Sequence, residues 1–359
     1  MFASVSIEQC LDSARRACGK TLYLNFDGFV IQFNTNSDTL LSRLQNYYQH
    51  FLVPAPVRVD QLVEGLETLD ELLPNDDWQV KTPDRGKSHI KEHVLFSAEG
   101  KVVRKLLTCV HLFFIGDRRV CAGPLKDNPN QVVNFINDMH LDRLLATQGQ
   151  LFHAAGVCSG STGIGMAGQS GKGKSTLALR LLHQGLDLVS NDRLVVQTSS
   201  TNGLVMFGIA KYPRVNPGTV INQPELLNIV QHENLARYTA MRPDELWDLE
   251  EKYDAFVEPA FGCAFKLTAS MKMFVILDWD RNDPSLPKLT KVLPGSCPEL
   301  VETVMKSPGN MLPLSAARIG EAKVEPYIDL LKRCDLFVLS GGVDFDLAAR
   351  EIRSLLLNN

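Results

Sequence analysis

The sequence that decides the fold reads Gly168-Gln169-Ser170-Gly171-Lys172-Gly173-Lys174-Ser175. Its spacing matches G-x-x-x-x-G-K-[ST], the pattern of a phosphate-binding loop between a strand and a helix. The glycines let successive backbone N–H groups curl around phosphate oxygens, and the following helix adds its dipole and its unbonded N–H groups. In such loops the lysine reaches the β- and γ-phosphates, and the final hydroxyl binds Mg²⁺. We therefore predict that a nucleotide is bound by Gly168, Gln169, Ser170, Gly171, Lys172, Gly173, Lys174, Ser175 and Thr176.

The residues on either side of the loop have the patterns of a strand and a helix. Residues 163–167 form a short apolar run, residues 174–184 indicate a helix that ends at Gly185, and residues 186–190 indicate the next strand. Strand, loop, helix and strand in this order are the βαβ pattern of a parallel or mixed sheet. The sequence therefore predicts an α/β fold, a P-loop mixed sheet with flanking helices. The chain lacks the Asn-Lys-x-Asp motif that recognises guanine, so ATP is the expected nucleotide.

Residues 1–127 have a different pattern, that of a small N-terminal α+β domain with antiparallel hairpins. Asp27-Gly28 separates two apolar runs, and this dipeptide favours the positive φ angles of a tight hairpin turn. Glu99-Gly100 and Gly116-Asp117 indicate two further hairpins. A helix is predicted near residues 59–73.

We predict two further segments after this domain. A helix that starts at Asn128-Pro129 opens a P-loop kinase core at residues 128–280, because proline is tolerated in the first helical turn. Several prolines make residues 278–298 a predicted linker. Residues 281–359 are expected to form a mainly helical C-terminal extension that packs on the core, with a short strand at residues 336–339 and a final helix.

Composition restricts the class of protein. The chain has 359 residues, 37 Lys and Arg against 41 Asp and Glu, a net charge of −4 and 45% hydrophobic residues. Such a chain is globular, and it has no bulk attraction to nucleic acid or to an anionic membrane, so neither is an expected partner. Its eight cysteines include no Cys-x-x-Cys pair, which is typical of reduced thiols. With no secretory signal and no apolar run of ~20 residues, we expect a cytoplasmic protein.

The segments that flank the loop carry a resemblance to a known family. They are His153-Ala154-Ala155-Gly156-Val157 before the loop and Leu188-Val189-Ser190-Asn191-Asp192-Arg193 after it. Together with the loop, and without gaps, they resemble the HPr kinase/phosphorylase family. Residues 130–137 and 213–219 are similar to segments of uncharacterised bacterial HPr-kinase-related proteins. The resemblance implies a kinase that uses ATP and Mg²⁺ and forms a homo-oligomer.

The resemblance also implies roles for individual residues. Lys174 stabilises the phosphoryl group during transfer, Asp192 accepts the proton of the acceptor hydroxyl, and His153 is the active-site histidine. Ser175 and Asp192 hold the Mg²⁺. The position of Asp192 agrees with its role, because it follows the strand after the loop helix, where an α/β sheet places its ligand crevice. Without the resemblance, Asp192 would be a polar residue that ends a strand, and His153 would be a hydrogen-bonded core histidine.

The chain departs from the family's motifs at three places. The paired aspartates of the family are Asn191-Asp192 here, so the first carboxylate is missing. Residues 206–216 do not match the signature that supplies a further Mg²⁺ ligand. Residues 259–263 do not match the Pro-Gly-Arg segment of the reverse phosphorylase reaction. These departures argue against phosphorylase activity and against HPr as the acceptor.

Three other residues carry weaker signals. Asp278 ends an apolar run as a Walker B aspartate does, although a strand that ends in a turn has the same pattern. Lys211 and Arg214 either supply positive charge to a phosphate or acceptor, or lie in a solvated turn.

The sequence therefore predicts a kinase that transfers the γ-phosphoryl group to a hydroxyl. The expected acceptor is an unknown protein serine, with a small-molecule hydroxyl as the alternative. Two other functions stay open. One is a non-catalytic ATP-binding sensor, which the missing carboxylate favours, and the other is an ATPase that a partner stimulates.

Overall fold

The computed structural model describes residues 11, 19–69, 72–73, 78–80, 90–147, 149–242, 245–246, 249, 251–308 and 323–358. The chain forms two compact units, Met1–Arg143 with Pro308–Ile319 and Leu144–Ser307 with Gly320–Asn359. Both units contain helices and sheets, so the fold is mixed α/β. Among the described residues, no helix combines the length and the apolar character that crossing a membrane requires.

The first unit is built on an eight-stranded sheet in the order β1-β2-β3-β8-β7-β6-β5-β4. Its strands are β1 (Lys20–Phe26), β2 (Phe29–Thr35), β3 (Gln61–Glu67), β4 (Gln79–Val80), β5 (Glu92–Phe96), β6 (Gly100–Lys105), β7 (Val110–Ile115) and β8 (Arg118–Gly123). Its labelled helices are α1 (Asp38–Tyr47) and α2 (Pro129–Leu145), the second of which ends just beyond the unit.

The predicted hairpins of the first unit are present. β1 pairs antiparallel with β2 across Asp27 and Gly28, whose φ angles of 50° and 91° suit the tight turn. β5 pairs with β6 across a turn that ends at Gly100, and β7 pairs with β8 across Gly116, which has a φ of 50°. The helix predicted from Asn128-Pro129 is also present, as α2.

The helix predicted near residues 59–73 is wrong where β3 forms instead. β3 lies between β2 and β8 and pairs with both in parallel, and residues 63–66 are buried in succession. A Cβ at Gly65 would lie 2.3 Å from Cζ of Phe33, so the packing here needs glycine. Pairing on both sides satisfies the buried backbone N–H and C=O groups, and this outweighs the local helical pattern.

The second unit contains the glycine-rich loop at residues 168–175. Its strands are β9 (Gln150–Phe152), β10 (Ala154–Ser159), β11 (Thr162–Gly168), β12 (Asp187–Ser190), β13 (Leu194–Thr198), β14 (Leu204–Phe207), β15 (Arg214–Val215), β16 (Tyr253–Asp254), β17 (Thr268–Leu277), β18 (Lys288–Lys291) and β19 (Asp335–Ser340). Its labelled helices are α3 (Lys174–His183), α4 (Pro217–Ile221), α5 (His232–Thr239), α6 (Val257–Phe261), α7 (Pro298–Glu302), α8 (Glu325–Leu331) and α9 (Phe345–Asn358). Two 3₁₀ turns occupy Pro224–Ile229 and Pro294–Ser296.

The loop strand β11 lies inside the main sheet of this unit. The sheet order is β12-β10-β11-β17-β14-β13-β9, and β19 pairs with β17 and β18. β11 runs parallel to β17, and β17 runs parallel to β19, whereas β10 is antiparallel to both β11 and β12 and separates them. The sheet is therefore mixed, as predicted, although β11 and β12 are not neighbours.

The chain after residue 280 adds strands to this sheet. β18 lies inside the predicted linker at 278–298 and pairs antiparallel with β19, which also pairs with residues 273–277 of β17. The linker prediction is wrong at β18, because pairing with a strand far along the chain orders this stretch. The strand predicted at residues 336–339 is present in β19, and the final helix is α9.

The two units differ in extent from the predicted domains. α2, which was expected to open the core at residue 128, belongs to the first unit as far as Arg143. It is held there by Asn137, whose Nδ2 donates to Oη of Tyr48 at 3.0 Å. Most of the chain after residue 280 belongs to the second unit with the loop, and it contributes β18 and β19 to the sheet as well as helices.

An aromatic cluster holds β9 against the core of the second unit. The ring centroid of Phe152 lies 5.6 Å from that of Phe274 and 5.0 Å from that of Tyr327. Oη of Tyr327 donates to the backbone oxygen of Leu151 at 2.9 Å. These contacts fix the end of β9 and therefore the next residue, His153.

Candidate functional site

The glycine-rich loop, which is the predicted phosphate-binding loop, joins β11 to α3. The backbone between them is left-handed at Gly171 and Gly173, with φ angles of 83° and 85°. Glycine adopts such angles without strain. Gly173 is also the N-cap of α3, and it brings no side chain that could bond the first N–H groups of the helix. These N–H groups are therefore donors for an anion such as phosphate.

Lys174 is the first residue of α3. Its Nζ donates to the backbone oxygen of Gly168 at 3.3 Å. Burial lowers the pKa of Lys174, nearby Asp192 raises it, and Lys306 lowers it further. A phosphate oxygen is a stronger acceptor for an ammonium group than a neutral carbonyl. Lys174 can therefore exchange the carbonyl of Gly168 for a bound phosphate.

Trp279 holds the loop through hydrogen bonds with Lys172. Nζ of Lys172 donates to the backbone oxygen of Trp279 at 2.7 Å, and Nε1 of Trp279 donates to the backbone oxygen of Lys172 at 2.7 Å. Trp279 is 1% exposed, and its ring packs edge-on against Phe345 with 5.0 Å between centroids. A Cβ at Gly173 would lie 2.6 Å from Cζ of Phe345. These contacts hold the loop backbone against Trp279 and Phe345.

A cleft of about 650 Å³ opens beside the loop. All the predicted nucleotide-binding residues except Gly168 and Lys172 line it, and so do His153 and Asp192. The described lining includes one acidic side chain, Asp192, and the basic side chains of Lys174, Arg193, Lys211, Arg214, Lys252 and Arg281. The net charge of the whole chain is −4, so positive charge is concentrated in this cleft.

Asp192 lies just after β12, in a turn that Ser190 closes by donating from Oγ to the backbone oxygen of Arg193 at 2.6 Å. Oδ2 of Asp192 lies 3.4 Å from Nζ of Lys306. Oδ1 is buried and has no hydrogen-bond partner among the described residues. Burial raises the pKa of Asp192, but Lys306, Arg193, Lys211 and His153 together hold it well below the ordinary value. The carboxylate is therefore ionised, and one of its oxygens makes no hydrogen bond to the described residues.

Lys306 was not identified from the sequence. It is 114 residues from Asp192, and it follows a stretch that packs beside β9. The backbone N–H of His153 donates to the backbone oxygen of Val304 at 2.7 Å. Phe152 and Met305 form an isolated antiparallel β-bridge. No motif surrounds Lys306, so only the tertiary contact reveals it.

His153 immediately follows the last residue of β9 and lines the cleft. Burial lowers its pKa to about 4, and Lys174, Lys306 and Arg193 lower it as well, with Asp192 acting in the opposite direction. The imidazole is therefore neutral at pH 7. It can give or accept a hydrogen bond there, but it adds no positive charge to a bound phosphate.

The donor set fits a nucleotide-bound Mg²⁺. Ser175 and Asp192 line the same cleft, and Oδ1 of Asp192 is unbonded among the described residues. Magnesium at nucleotide sites takes one or two protein oxygens, with phosphates and waters completing the octahedron. Within the part of the chain that the structure describes, no cluster of three or more His, Cys, Asp or Glu could hold a metal alone. Asp278 is exposed and is not part of the cleft lining, which fits a strand-to-turn residue.

Lys211 and Arg214 line the cleft rather than a remote solvated turn. Arg214 in β15 forms an ion pair with Asp254 in β16, with 3.5 Å between Nε and Oδ1. Burial raises the pKa of Asp254, and Arg214 and Lys211 act against that rise. Lys211 also lowers the pKa of Asp192, so it lies within electrostatic reach of both carboxylates.

Three other basic residues line the cleft without a role that follows from the sequence: Arg193, Lys252 and Arg281. Arg193 stands in the segment that carries the family resemblance. Lys252 and Arg281 have no local signal, since a charged residue in an irregular stretch is most often solvated. Their place in the cleft comes from the folding of the chain around the loop.

No protein-family model matches the chain, and no curated protein matches it. Among solved structures, the chain shows a distant likeness to the HPr(Ser) kinase/phosphatase from Coxiella burnetii, with 14% sequence identity and a TM-score of 0.30. The match covers 58% of this chain and 92% of that chain.

Proposed function

We propose that the protein is an ATP- and Mg²⁺-dependent kinase that transfers the γ-phosphoryl group to a hydroxyl, that of a protein serine. The observation that carries the proposal is that Lys174 and Asp192 line one positively charged cleft beside a phosphate-binding loop. The volume of about 650 Å³ is within the range of small-molecule pockets. The resemblance of residues 153–193 to the HPr kinase/phosphorylase family supports the same function.

The proposed step is an in-line transfer. The acceptor oxygen bonds to the γ-phosphorus, the bond from that phosphorus to the β,γ-bridging oxygen breaks, and its electron pair stays with ADP. The proton of the acceptor hydroxyl passes to the carboxylate of Asp192. Because the pKa of Asp192 is lowered, the carboxylate is ionised when the acceptor arrives, and it orients the hydroxyl by accepting its hydrogen bond.

The loop would stabilise the charge that spreads over the γ-phosphoryl oxygens. Its N–H groups and the ammonium of Lys174 are donors in fixed positions, so they need little reorganisation during the reaction. Mg²⁺ held by Ser175 and Asp192 would neutralise charge on the β- and γ-phosphates. His153, which is neutral at pH 7, would contribute a hydrogen bond rather than a charge.

The experiment is to incubate the purified protein with γ-labelled ATP, Mg²⁺ and a lysate of its source organism. We expect label on a discrete protein. Lys174→Ala should abolish transfer and weaken ATP binding. Asp192→Asn should still bind ATP through the loop N–H groups and Lys174, with Ser175 as the remaining protein ligand of Mg²⁺, and should lose about 100-fold or more in transfer rate. Lys288→Ala is the matched control, because Lys288 is an exposed lysine of β18 that does not line the cleft.

The other outcomes separate the alternatives. Label on a metabolite would keep the kinase and replace the protein acceptor. Label that stays on intact ATP, although ATP binds, would overturn the kinase and favour a sensor, in which the ion pair between Lys306 and Asp192 keeps the carboxylate engaged. Free phosphate released only with a partner protein would identify an ATPase.

A further inference from the structure

One wall of the cleft is basic beyond what a nucleotide needs. We call Lys211, Arg214 and Lys252 the basic wall. Arg214 belongs to β15, and Lys252 immediately precedes β16, the strand that pairs with β15 in a two-stranded ribbon. A triphosphate would already have the loop N–H groups and Lys174 as partners. The side chains of the basic wall line the cleft in addition to these partners, so a second ligand in the cleft can contact them.

The basic wall is electrostatically coupled to the proposed proton acceptor. Lys211 interacts electrostatically with Asp192, the carboxylate to which the acceptor hydroxyl would bond, and with Asp254 of the ribbon. Asp254 in turn pairs with Arg214. Lys211 therefore interacts both with the proposed proton acceptor and with the ribbon that carries Arg214.

A hydrogen-bonded cluster holds the ribbon in place. Arg237 donates through Nη2 to both carboxylate oxygens of Glu251 at 2.6 and 2.9 Å, and Oη of Tyr238 bonds to Glu251 and, at 2.5 Å, to Oη of Tyr253. Tyr238 is fully buried. Lys252 stands between two residues of this cluster, so its backbone is fixed while its side chain is exposed.

The exposure of the basic wall indicates what kind of anion it would bind. The side chain of Arg214 is 38% exposed and Lys252 is exposed. A small anionic substrate is usually enclosed by convergent groups in a buried pocket. Separate cations along one wall, with Lys211 half-buried and the other two exposed, suit an extended chain that carries several carboxylates. The ion pair of Arg214 with Asp254 is weak enough in solvent to be shared.

We propose that the acceptor serine lies in an acidic segment of a protein, whose Asp and Glu carboxylates contact Lys211, Arg214 and Lys252. This inference rests on the proposed kinase function. It adds the chemical class of the acceptor, which neither the loop nor Asp192 specifies.

The test measures phosphoryl transfer to synthetic serine peptides in which the serine is flanked by Asp and Glu, by Gln and Asn, or by Lys. Free serine and a sugar phosphate are included as small acceptors. We expect the acidic peptides to have the highest kcat/KM. Lys252→Glu should lower kcat/KM for the acidic peptides about tenfold and leave the KM for ATP unchanged, since it reverses one interacting charge. Lys288→Glu is the control for net charge.

Each outcome decides the inference. Preference for acidic peptides that Lys252→Glu weakens and Lys288→Glu does not would support it. Peptide phosphorylation without preference for acidic flanks, or transfer to the small acceptors alone, would overturn it and leave the kinase. No transfer to any acceptor, with ATP bound through Lys174, would overturn the proposed function and the inference with it. High salt should reduce the acidic preference, because exposed charges are screened.

Discussion

Asp192 is surrounded by more positive charge than one carboxylate balances. Burial on its own would raise its pKa, yet Lys306, Arg193, Lys211 and His153 hold the pKa below its ordinary value. Lys306 is 3.4 Å from Oδ2, and we regard it as a positioning residue because it acts on the acceptor through Asp192. The consequence is a carboxylate that stays ionised in moderately acidic solution.

Lys306→Ala should move the acid limb of the activity profile to higher pH. Removal of the ammonium raises the pKa of Asp192, so the carboxylate is protonated, and transfer is lost, earlier as the pH falls. Activity near pH 7 should change little. The measurement is kcat/KM for phosphoryl transfer as a function of pH.

Lys306→Arg is the control for this prediction. It keeps the positive charge beside Asp192, so its acid limb should stay near that of the unaltered protein. An unmoved limb in Lys306→Ala would show that Lys306 does not act through Asp192.

At the scale of elements, the loop is shaped by the segment after β17 and by the start of α9. Trp279 exchanges two hydrogen bonds with Lys172, and Phe345 packs against Trp279. Gly173 is constrained twice, by its φ of 85° and by the ring of Phe345. The loop conformation therefore depends on contacts as well as on the glycine pattern.

Gly173→Ala should destabilise the second unit and weaken ATP binding. The left-handed backbone alone costs about 1–2 kcal/mol for a residue with a Cβ, and the close approach to Phe345 adds to this. If the contact contributes, Phe345→Ala should cost less stability in the Gly173→Ala background than in the unaltered protein. The measurement is a double-mutant cycle by denaturant unfolding.

Gly171→Ala is the matched control. Gly171 has a φ of 83°, but nothing lies within 4 Å of its Cβ position. Gly171→Ala should lose only the stability that the left-handed backbone costs. Phe345→Ala should therefore lower the free energy of unfolding by the same amount in the Gly171→Ala background as in the unaltered protein. Equal coupling in both cycles would remove the contact from the explanation.

At the scale of the whole molecule, histidines in both units are kept neutral by burial. Burial lowers the pKa of His111 to about 4 and that of His140 to about 3 in the first unit, with Arg104 and Arg143, respectively, lowering them further. In the second unit the pKa of His153 is about 4. Histidine pKa values in the unfolded chain are about 6.5. Between that pH and the lowered pKa values of the folded protein, the unfolded chain therefore binds more protons than the folded chain.

The free energy of unfolding should therefore fall as the pH is lowered from about 6.5 towards 4. The stability from each neutral histidine is complete above its unfolded pKa and is lost as the pH falls through its folded pKa. Urea unfolding across this pH range is the measurement. His140→Phe should reduce the slope of unfolding free energy against pH, because it removes one of the titrating groups. Phenylalanine suits the site, since His140 packs among the rings of Phe26 and Phe29. The exposed His50, changed to Gln, is the control.

Features with local causes could be predicted from the sequence. The tight turn at Asp27-Gly28, the helix from Pro129 and the loop at residues 168–175 follow from backbone angles and hydrogen-bonding groups that a few neighbouring residues supply. The loop pattern also predicted the mixed sheet and the place of Asp192 beyond it. These signals depend little on the rest of the chain, so they could be recognised without it.

Three features depend on the folding of the whole chain: the pairing of β3 and β18, the contact of Lys306 with Asp192, and the basic wall of the cleft. Each of these joins residues far apart in sequence. A strand is selected by the partners on both its sides, and a charge enters a cleft because other elements carry it there. Such contacts are stabilised by packing and pairing of the folded chain as a whole, and no short stretch of sequence contains them.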